Sequence, residues 1–390
     1  MVADWSSAYE DGLSTGVLLW DLSSAFDTID VHLLCEKLSI YGLTHRSIAW
    51  FQSFLTMRQQ RVQVGNEFSQ PETISIGCPQ GSLLSPLVFL IYIADLDQWV
   101  KNVNVRGYAD DTISSISDTS EEIIIKKLEE DAGRIVQFMA SNFLSANPQK
   151  TGFLLIRESK STSIRSVEIG GKVIEEEPCH RILGVMINNM LSWKDHVIGK
   201  GGLLNSVFQR IGALRRIAHH VHLPKIATAI VGSKIRYGIG VYRSVRQTGD
   251  DPMSEEVRML QVALNDAMRI VNGCRRRDRV PIADLVKLTG MSTFNRMAAE
   301  ENLNLIWQAI NNTSSPLNSI FKERTIVDGH ALRSASRGNL QNLARTSLGQ
   351  RNFPEPGIRI WNSAVPSVRE ATTKYAAKSA ISRFAGNLPL

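Results

Sequence analysis

The order of apolar and polar positions predicts a mixed chain. Gly16–Trp20 (GVLLW) is apolar at every position and ends at Asp21, the pattern of a strand covered on both faces. The stretch Val31–Tyr41 has helical spacing. Asp30 suits its N-cap and Gly42 its stop. A second helix is expected near 45–57. RVQV at 61–64 and ETISI at 72–76 read as a hairpin around Gly65-Asn66. Gly77 and Pro79 fix a turn, Ser82 suits an N-cap, and a long helix is expected from about 83 to 100. VNVRGYADDTISSIS reads as a tight strand-turn-strand. Ser120 then caps a helix to about 142, with Ile124, Leu128, Ile135 and Phe138 on one face. Strands near 152–157, 165–169 and 181–187 follow. The fold class is therefore α+β, an antiparallel sheet with helices packed on one face. Beyond Trp193 the chain reads mainly helical, with a linker at Thr248-Gly249-Asp250-Asp251-Pro252, further helices over 253–312 and a loop-rich stretch at 322–357.

Chemistry concentrates in the turn Tyr108-Ala109-Asp110-Asp111. Two adjacent carboxylates at a turn tip repel and resist joint ionisation, a cost that a divalent cation removes. Asp21, at the end of the apolar strand, supplies a third carboxylate. Three aspartates plus a nucleotide triphosphate suit Mg²⁺, which takes few carboxylates and keeps waters and substrate phosphates. Two such ions about 3.5–4 Å apart stabilise both oxygens of an in-line displacement. Taken alone, the Asp-Asp pair also reads as a solvated turn.

Four further stretches lie in order around this pair. They are Trp20-Asp21-Leu22-Ser23-Ser24-Ala25-Phe26-Asp27, Gly77-Cys78-Pro79-Gln80-Gly81-Ser82, Leu144-Ser145-Ala146-Asn147-Pro148-Gln149-Lys150-Thr151, and Arg181-Ile182-Leu183-Gly184-Val185 with Leu191-Ser192-Trp193. With the Asp-Asp turn they resemble palm motifs A to E of the reverse transcriptases of non-LTR (LINE-like) retrotransposons, closely over about residues 13–200. Ile360-Trp361-Asn362-Ser363-Ala364-Val365-Pro366 resembles the helical tail that follows in such elements.

The resemblance implies a right-hand polymerase palm with partial fingers, then a mainly helical thumb and C-terminal region. The expected domains are 1–190 (palm and remnant fingers), 191–247 (thumb-like) and 253–390 (helical and basic). It implies an RNA-directed DNA polymerase that moves a nucleotide from a dNTP to a primer 3′-OH. The partners would be an RNA template, a DNA primer and dNTPs. The cofactor would be two Mg²⁺ ions, or Mn²⁺, held by Asp21, Asp110, Asp111 and the backbone carbonyl of Leu22.

By the same resemblance Phe26 is an aromatic gate against the ribose 2′-OH, and Gln80 and Gly81 contact the incoming nucleotide and templating base. Lys150 is a proton donor to pyrophosphate, and Leu183, Gly184 and Val185 form a primer grip. Read from the residues alone, Phe26 is also an ordinary core aromatic and Lys150 a surface lysine. Asp27, one residue past the gate, reads as structural. An RNA-dependent RNA polymerase shares the double aspartate, but it must accept a 2′-OH, and Phe26 speaks against it.

Charge is unevenly distributed. Residues 1–187 hold 15 basic and 24 acidic side chains, a net of −9, whereas residues 188–390 hold 29 and 14, a net of +15. Arg215, Arg216, Arg275, Arg276 and Arg277 of the basic half are candidate phosphate contacts, which would make binding salt-dependent. The alternative is solvated helix faces. Four dispersed cysteines indicate neither a disulfide framework nor a zinc knuckle. His219, His220 and His222 fit a helix end better than a metal site. No apolar run reaches the roughly 20 residues of a membrane span, and no signal peptide opens the chain. An intracellular location is expected, and a nuclear one by the family resemblance. The chain starts about a dozen residues before the first catalytic strand, where the family carries some hundred or more, so fingers and endonuclease look missing. An inactive remnant that binds nucleic acid without polymerising is therefore the second expectation.

Overall fold

The computed structural model describes all residues except 23, 148–149, 159–163, 219, 243–252, 323–338, 342–351 and 390. The linker at 248–252, His219 and most of the 322–357 stretch lie outside the described residues. The chain forms two compact units, Gly12–Leu183 and a second made of Met1–Asp11 with Gly184–Leu390.

The first helix, α1 (Val2–Glu10), belongs to the second unit. The Gly12–Leu183 unit is built on a four-stranded antiparallel sheet. Its strands are β1 (Ser14–Trp20), β6 (Asn104–Tyr108), β7 (Asp111–Asp118) and β8 (Gly152–Ile156), in the order β6-β7-β1-β8. β1 is central and is buried from Thr15 to Trp20, as its unbroken apolar run requires. Helices α2 (Val31–Ile40), α3 (His45–Leu55), α4 (Ser85–Tyr92) and α5 (Glu121–Ser141) belong to the same unit. α2, α4 and α5 share one core with Leu18, Trp20, Phe153 and Leu155, so helices collect on one face of the sheet. The contact is closest at Gly16, where a Cβ would stand 2.4 Å from Ile124 Cγ2 of α5.

Local signals set several boundaries. Asp30 accepts the Leu33 N–H at 2.7 Å and opens α2. Ser120 opens α5 by accepting from Ile123 N, and Ile124, Leu128, Ile135 and Phe138 are all buried. In three places the structure departs from expectation. The long helix expected over 83–100 ends at Tyr92, because Lys37 Nζ donates to the Tyr92 carbonyl at 2.8 Å and to Asp95 at 2.6 Å. That carbonyl is capped by a side chain where a longer helix would use a backbone N–H. The helix also starts at Ser85, so Ser82 is not its N-cap. Ser82 Oγ accepts from Leu84 N within the preceding turn.

The hairpin expected between 61–64 and 72–76 is split. β3 (Gln63–Val64) pairs with β4 (Glu67–Phe68) around Gly65-Asn66, while β2 (Arg58–Gln60) pairs with β5 (Glu72–Ile74). Two residues separate the ladders on one side and three on the other, and the longer side ends at Pro71, which has no N–H to donate. Finally, the single strand expected over 181–187 is two, β11 (Cys179–Ile182) and β12 (Val185–Asn188), because Leu183 and Gly184 both take positive φ, 46° and 80°. β9 (Ser166–Ile169) and β10 (Lys172–Glu175) form a further hairpin.

Among the described residues the second unit is mainly helical, with β12 as its strand. Helices between Lys194 and Asn311 surround one core that includes Val207, Leu260, Leu264 and Met297. Another core joins Leu303, Ile306 and Trp307 to Ile358, Trp361 and Ile381, burying the tail motif at Ile360-Trp361.

Candidate active site

Three aspartates converge at one end of the central strands. Trp20 faces Thr112 in the β1–β7 ladder, so one step further brings Asp21 beside Asp111. Tyr108 pairs with Asp111, leaving Ala109 and Asp110 as a two-residue turn. Ala109 has φ +53°, a conformation that side chains with a Cβ rarely adopt. Strain of roughly 1–2 kcal/mol per residue accompanies it. Burial raises the Asp111 carboxyl above the ordinary carboxylate range, and the negative charges of Asp110 and Asp21 raise it further. The sheet thus holds three acids close enough to repel.

The donor set is all carboxylate oxygen, which fits a hard divalent cation. As the side chains lie, no three His, Cys, Asp or Glu groups among the described residues are gathered tightly enough to hold an ion. Asp21 instead meets an ammonium, with Lys150 Nζ 3.4 Å from its Oδ2. The Asn147 N–H donates to the Asp21 carbonyl at 2.8 Å, and Leu22 bridges to Ala146, so the Lys150 segment is laced to the end of β1. Leu22 is itself buried in the core.

Phe26 is half-buried, its ring 4.9 Å from that of Phe89. The segment 77–80 is tied to the segment 26–29. Gly77 N donates to Ile29 O and Cys78 N to Phe26 O, both at 2.8 Å. Gln80 Nε2 donates to both carboxylate oxygens of Asp27, at 3.1 and 3.2 Å. A Cβ at Gly77 would stand 2.7 Å from Asp27 O, and φ there is +71°. Gly81, at φ +81°, has open space where a Cβ would point, so backbone conformation is what selects glycine there.

The remaining candidates lie in several places. Leu183 ends the Gly12–Leu183 unit, while Gly184 and Val185 begin the longer stretch of the other. Arg215 and Arg216 are exposed in the last turn of a helix spanning Leu203–Arg216. Arg275, Arg276 and Arg277 are exposed too, but Arg276 is engaged. Its Nε donates to Asp266 Oδ1 at 2.8 Å and its Nη2 to Asp266 Oδ2. His220 and His222 are neighbours in a turn, where His222 N donates to His220 Nδ1 at 3.1 Å. The four cysteines are free, and among the described residues no helix is long and apolar enough to cross a membrane.

Two supporting groups escape the motif pattern. Asp131 of α5 is fully buried and accepts from the backbone N–H groups of Lys101, Asn102 and Val103, just ahead of β6. Its signal was a charge three residues from Leu128 and four from Ile135 on the apolar stripe of that helix. Arg58 holds the 76–77 segment by donating from Nη2 to Ile76 O and Gly77 O, each at 2.7 Å.

Residues 3–187 match the family described as reverse transcriptase (RNA-dependent DNA polymerase). Over those residues, which include the whole four-stranded sheet, the chain is similar to reverse transcriptases. Among curated proteins it is similar to two from Drosophila melanogaster. One is the probable RNA-directed DNA polymerase from transposon BS, 23% identical over 284 residues, covering 68% of this chain and 30% of the relative. The other is the RNA-directed DNA polymerase from mobile element jockey, 22% identical over 201 residues, covering 49% and 22%. The chain thus spans less than a third of the length of either. The likeness to non-LTR retrotransposon reverse transcriptases, read from motifs A to E, is borne out. An apo telomerase from Candida tropicalis is a solved structure with a looser likeness, TM-score 0.40 at 11% identity, covering 82% of this chain and 55% of that one.

Proposed function

We propose that this chain is the polymerising part of a retrotransposon RNA-directed DNA polymerase. The primer 3′-OH attacks the α-phosphate of a dNTP on an RNA template, and pyrophosphate leaves. The observation that carries this reading is the convergence of Asp21 with Asp110 and Asp111 at one end of the sheet, with Asp111 made harder to ionise by burial and then by the charges of the other two.

Asp21, Asp110, Asp111 and the Leu22 carbonyl would hold the metal, two Mg²⁺ or Mn²⁺ ions. When bound, such ions neutralise charge on the attacking and leaving oxygens. The protein's own residues do the rest. Lys150, 3.4 Å from Asp21, offers an ammonium to the departing pyrophosphate. Phe26, braced on Phe89, presents a ring beside the sugar and excludes a 2′-hydroxyl. Gln80 and Gly81 meet the incoming nucleotide. Leu183, Gly184 and Val185 support the primer end, residues 191–247 serve as thumb, and residues 253–390 form the basic helical tail. Arg215, Arg216, Arg275 and Arg277 meet phosphates, and Arg276 does so only by leaving Asp266. A nuclear site of action follows from this role.

Primer extension on an RNA template with dNTPs tests the reading. Extension by the wild-type chain and its loss in Asp110→Ala are expected. Extension that survives Asp110→Ala overturns the assignment of the aspartates. A wild-type chain that binds nucleic acid yet never extends a primer supports the inactive remnant instead.

A further inference from the structure

We propose that Asp27 is a positioning residue that sets which end of the Gln80 side-chain amide faces the nucleotide. The inference rests on the polymerase reading and adds to it. A carboxylate offers only acceptor oxygens, whereas a glutamine amide has an acceptor end and a donor end. With Gln80 Nε2 at 3.1 and 3.2 Å from the two Asp27 oxygens, the reverse orientation would set oxygen against oxygen. Asp27 therefore commits the amino end of Gln80 inward and leaves Oε1 as a fixed acceptor for an N–H or O–H of the bound nucleotide.

The frame around the pair is stiff. Asp27 N donates to Ser24 O at 2.8 Å, and Gly77 N and Cys78 N reach Ile29 O and Phe26 O at the same distance. Gly77 packs so close to the Asp27 backbone that a Cβ would stand 2.7 Å from its carbonyl oxygen. Arg58 then grips the Gly77 carbonyl from β2 at 2.7 Å. The backbones on both sides of the Asp27–Gln80 bond are thus held by bonds that do not involve either side chain. Loss of the Asp27 carboxylate frees the amide to turn without moving the segments. Both side chains are exposed, so the bond contributes little to the fold and its effect falls on the ligand.

The test pairs two readouts. One is the dNTP dependence of primer extension. The other is equilibrium binding of a fluorescein-labelled dUTP to the chain with primer–template, followed by anisotropy. Asp27→Asn keeps the shape but offers Gln80 both an acceptor and a donor. KM for dNTP and Kd for the labelled nucleotide should each rise about tenfold, the scale of one charge-assisted hydrogen bond. kcat should change far less. Adding Asp27→Asn to Gln80→Met should cost nothing beyond Gln80→Met alone.

If Asp27→Asn melts early, Gln80→Glu serves instead. Its carboxylate faces Asp27, so it should bind nucleotide more weakly than Gln80→Met does. Unchanged Kd in Asp27→Asn, multiplied effects in the double variant, or equal binding by Gln80→Glu and Gln80→Met overturns the proposal. A chain that binds the labelled nucleotide but extends no primer defeats the polymerase reading alone and leaves the tether to be judged by binding. A chain that binds no nucleotide overturns the tether as well.

Discussion

Asp131→Ala should be among the most damaging single changes in the Gly12–Leu183 unit. The Asp131 carboxylate is fully buried and gathers the N–H groups of Lys101, Asn102 and Val103 at 3.1, 2.6 and 2.9 Å, with Arg134 Nη1 beside it. Truncation leaves three donors without an acceptor. Lys101 is exposed and Asn102 half-exposed, so water can reach them, but Val103 is buried. One stranded buried N–H costs roughly 1–3 kcal/mol, and two rehydrated ones lose the net value of their bonds, again about 1 kcal/mol each. The expected total is about 3–5 kcal/mol. Urea melts read it as a fall in midpoint at unchanged slope. A change below about 1 kcal/mol refutes the reasoning.

The pH dependence has a definite sign. Burial alone would raise the Asp131 carboxyl, but the Asn102 N–H, Arg134 and the Val103 and Lys101 N–H groups together outweigh it and hold it below the ordinary range. A depressed folded-state value gives stability that is fully present above the unfolded carboxylate range, near about 4, and is lost as pH falls below that range through the lower folded-state value. Acidification from about pH 5 to about pH 3 should therefore narrow the gap between wild type and Asp131→Asn. The residues it holds lead directly into β6 and the Ala109-Asp110 turn, so the same change should also reduce extension.

Other consequences follow from single positions. Gly77→Ala adds a Cβ 2.7 Å from a backbone oxygen at a positive φ, and should destabilise by about 2 kcal/mol or more in the same melts. Ala109→Gly removes the strain of φ +53° and should raise the melting midpoint slightly, by less than about 1 kcal/mol, given the greater unfolded-state freedom of glycine. Phe26→Ala should admit rNTPs in extension assays and, by losing its contact with Phe89, should lower stability by about 2–3 kcal/mol. Replacing Arg215 and Arg216 together by Ala should reduce the salt dependence of RNA binding by about two phosphate contacts.

The sheet was legible because its signals are local. An all-apolar β1, an N-capping Asp30 and a stripe along α5 each act through near neighbours. The early end of α4 was not legible, since Lys37 lies 55 residues from the Tyr92 carbonyl that it caps. Nor was the slipped register at Pro71, which depends on how many residues each side of the ribbon leaves unpaired. At the candidate site the motif residues stand out by type and order. Their supports do not. Asp27, Arg58 and Asp131 act on segments distant in sequence, by hydrogen bonds to backbone or amide groups that no motif spells out.

The claim at the centre is that Asp21, Asp110 and Asp111 take up divalent cations together. Titration of Mn²⁺ into the chain, with free ion counted by electron paramagnetic resonance, tests it most directly. Saturable uptake that Asp111→Asn and Asp21→Asn each abolish or sharply weaken is the expected result. No uptake, or uptake indifferent to both substitutions, contradicts the account.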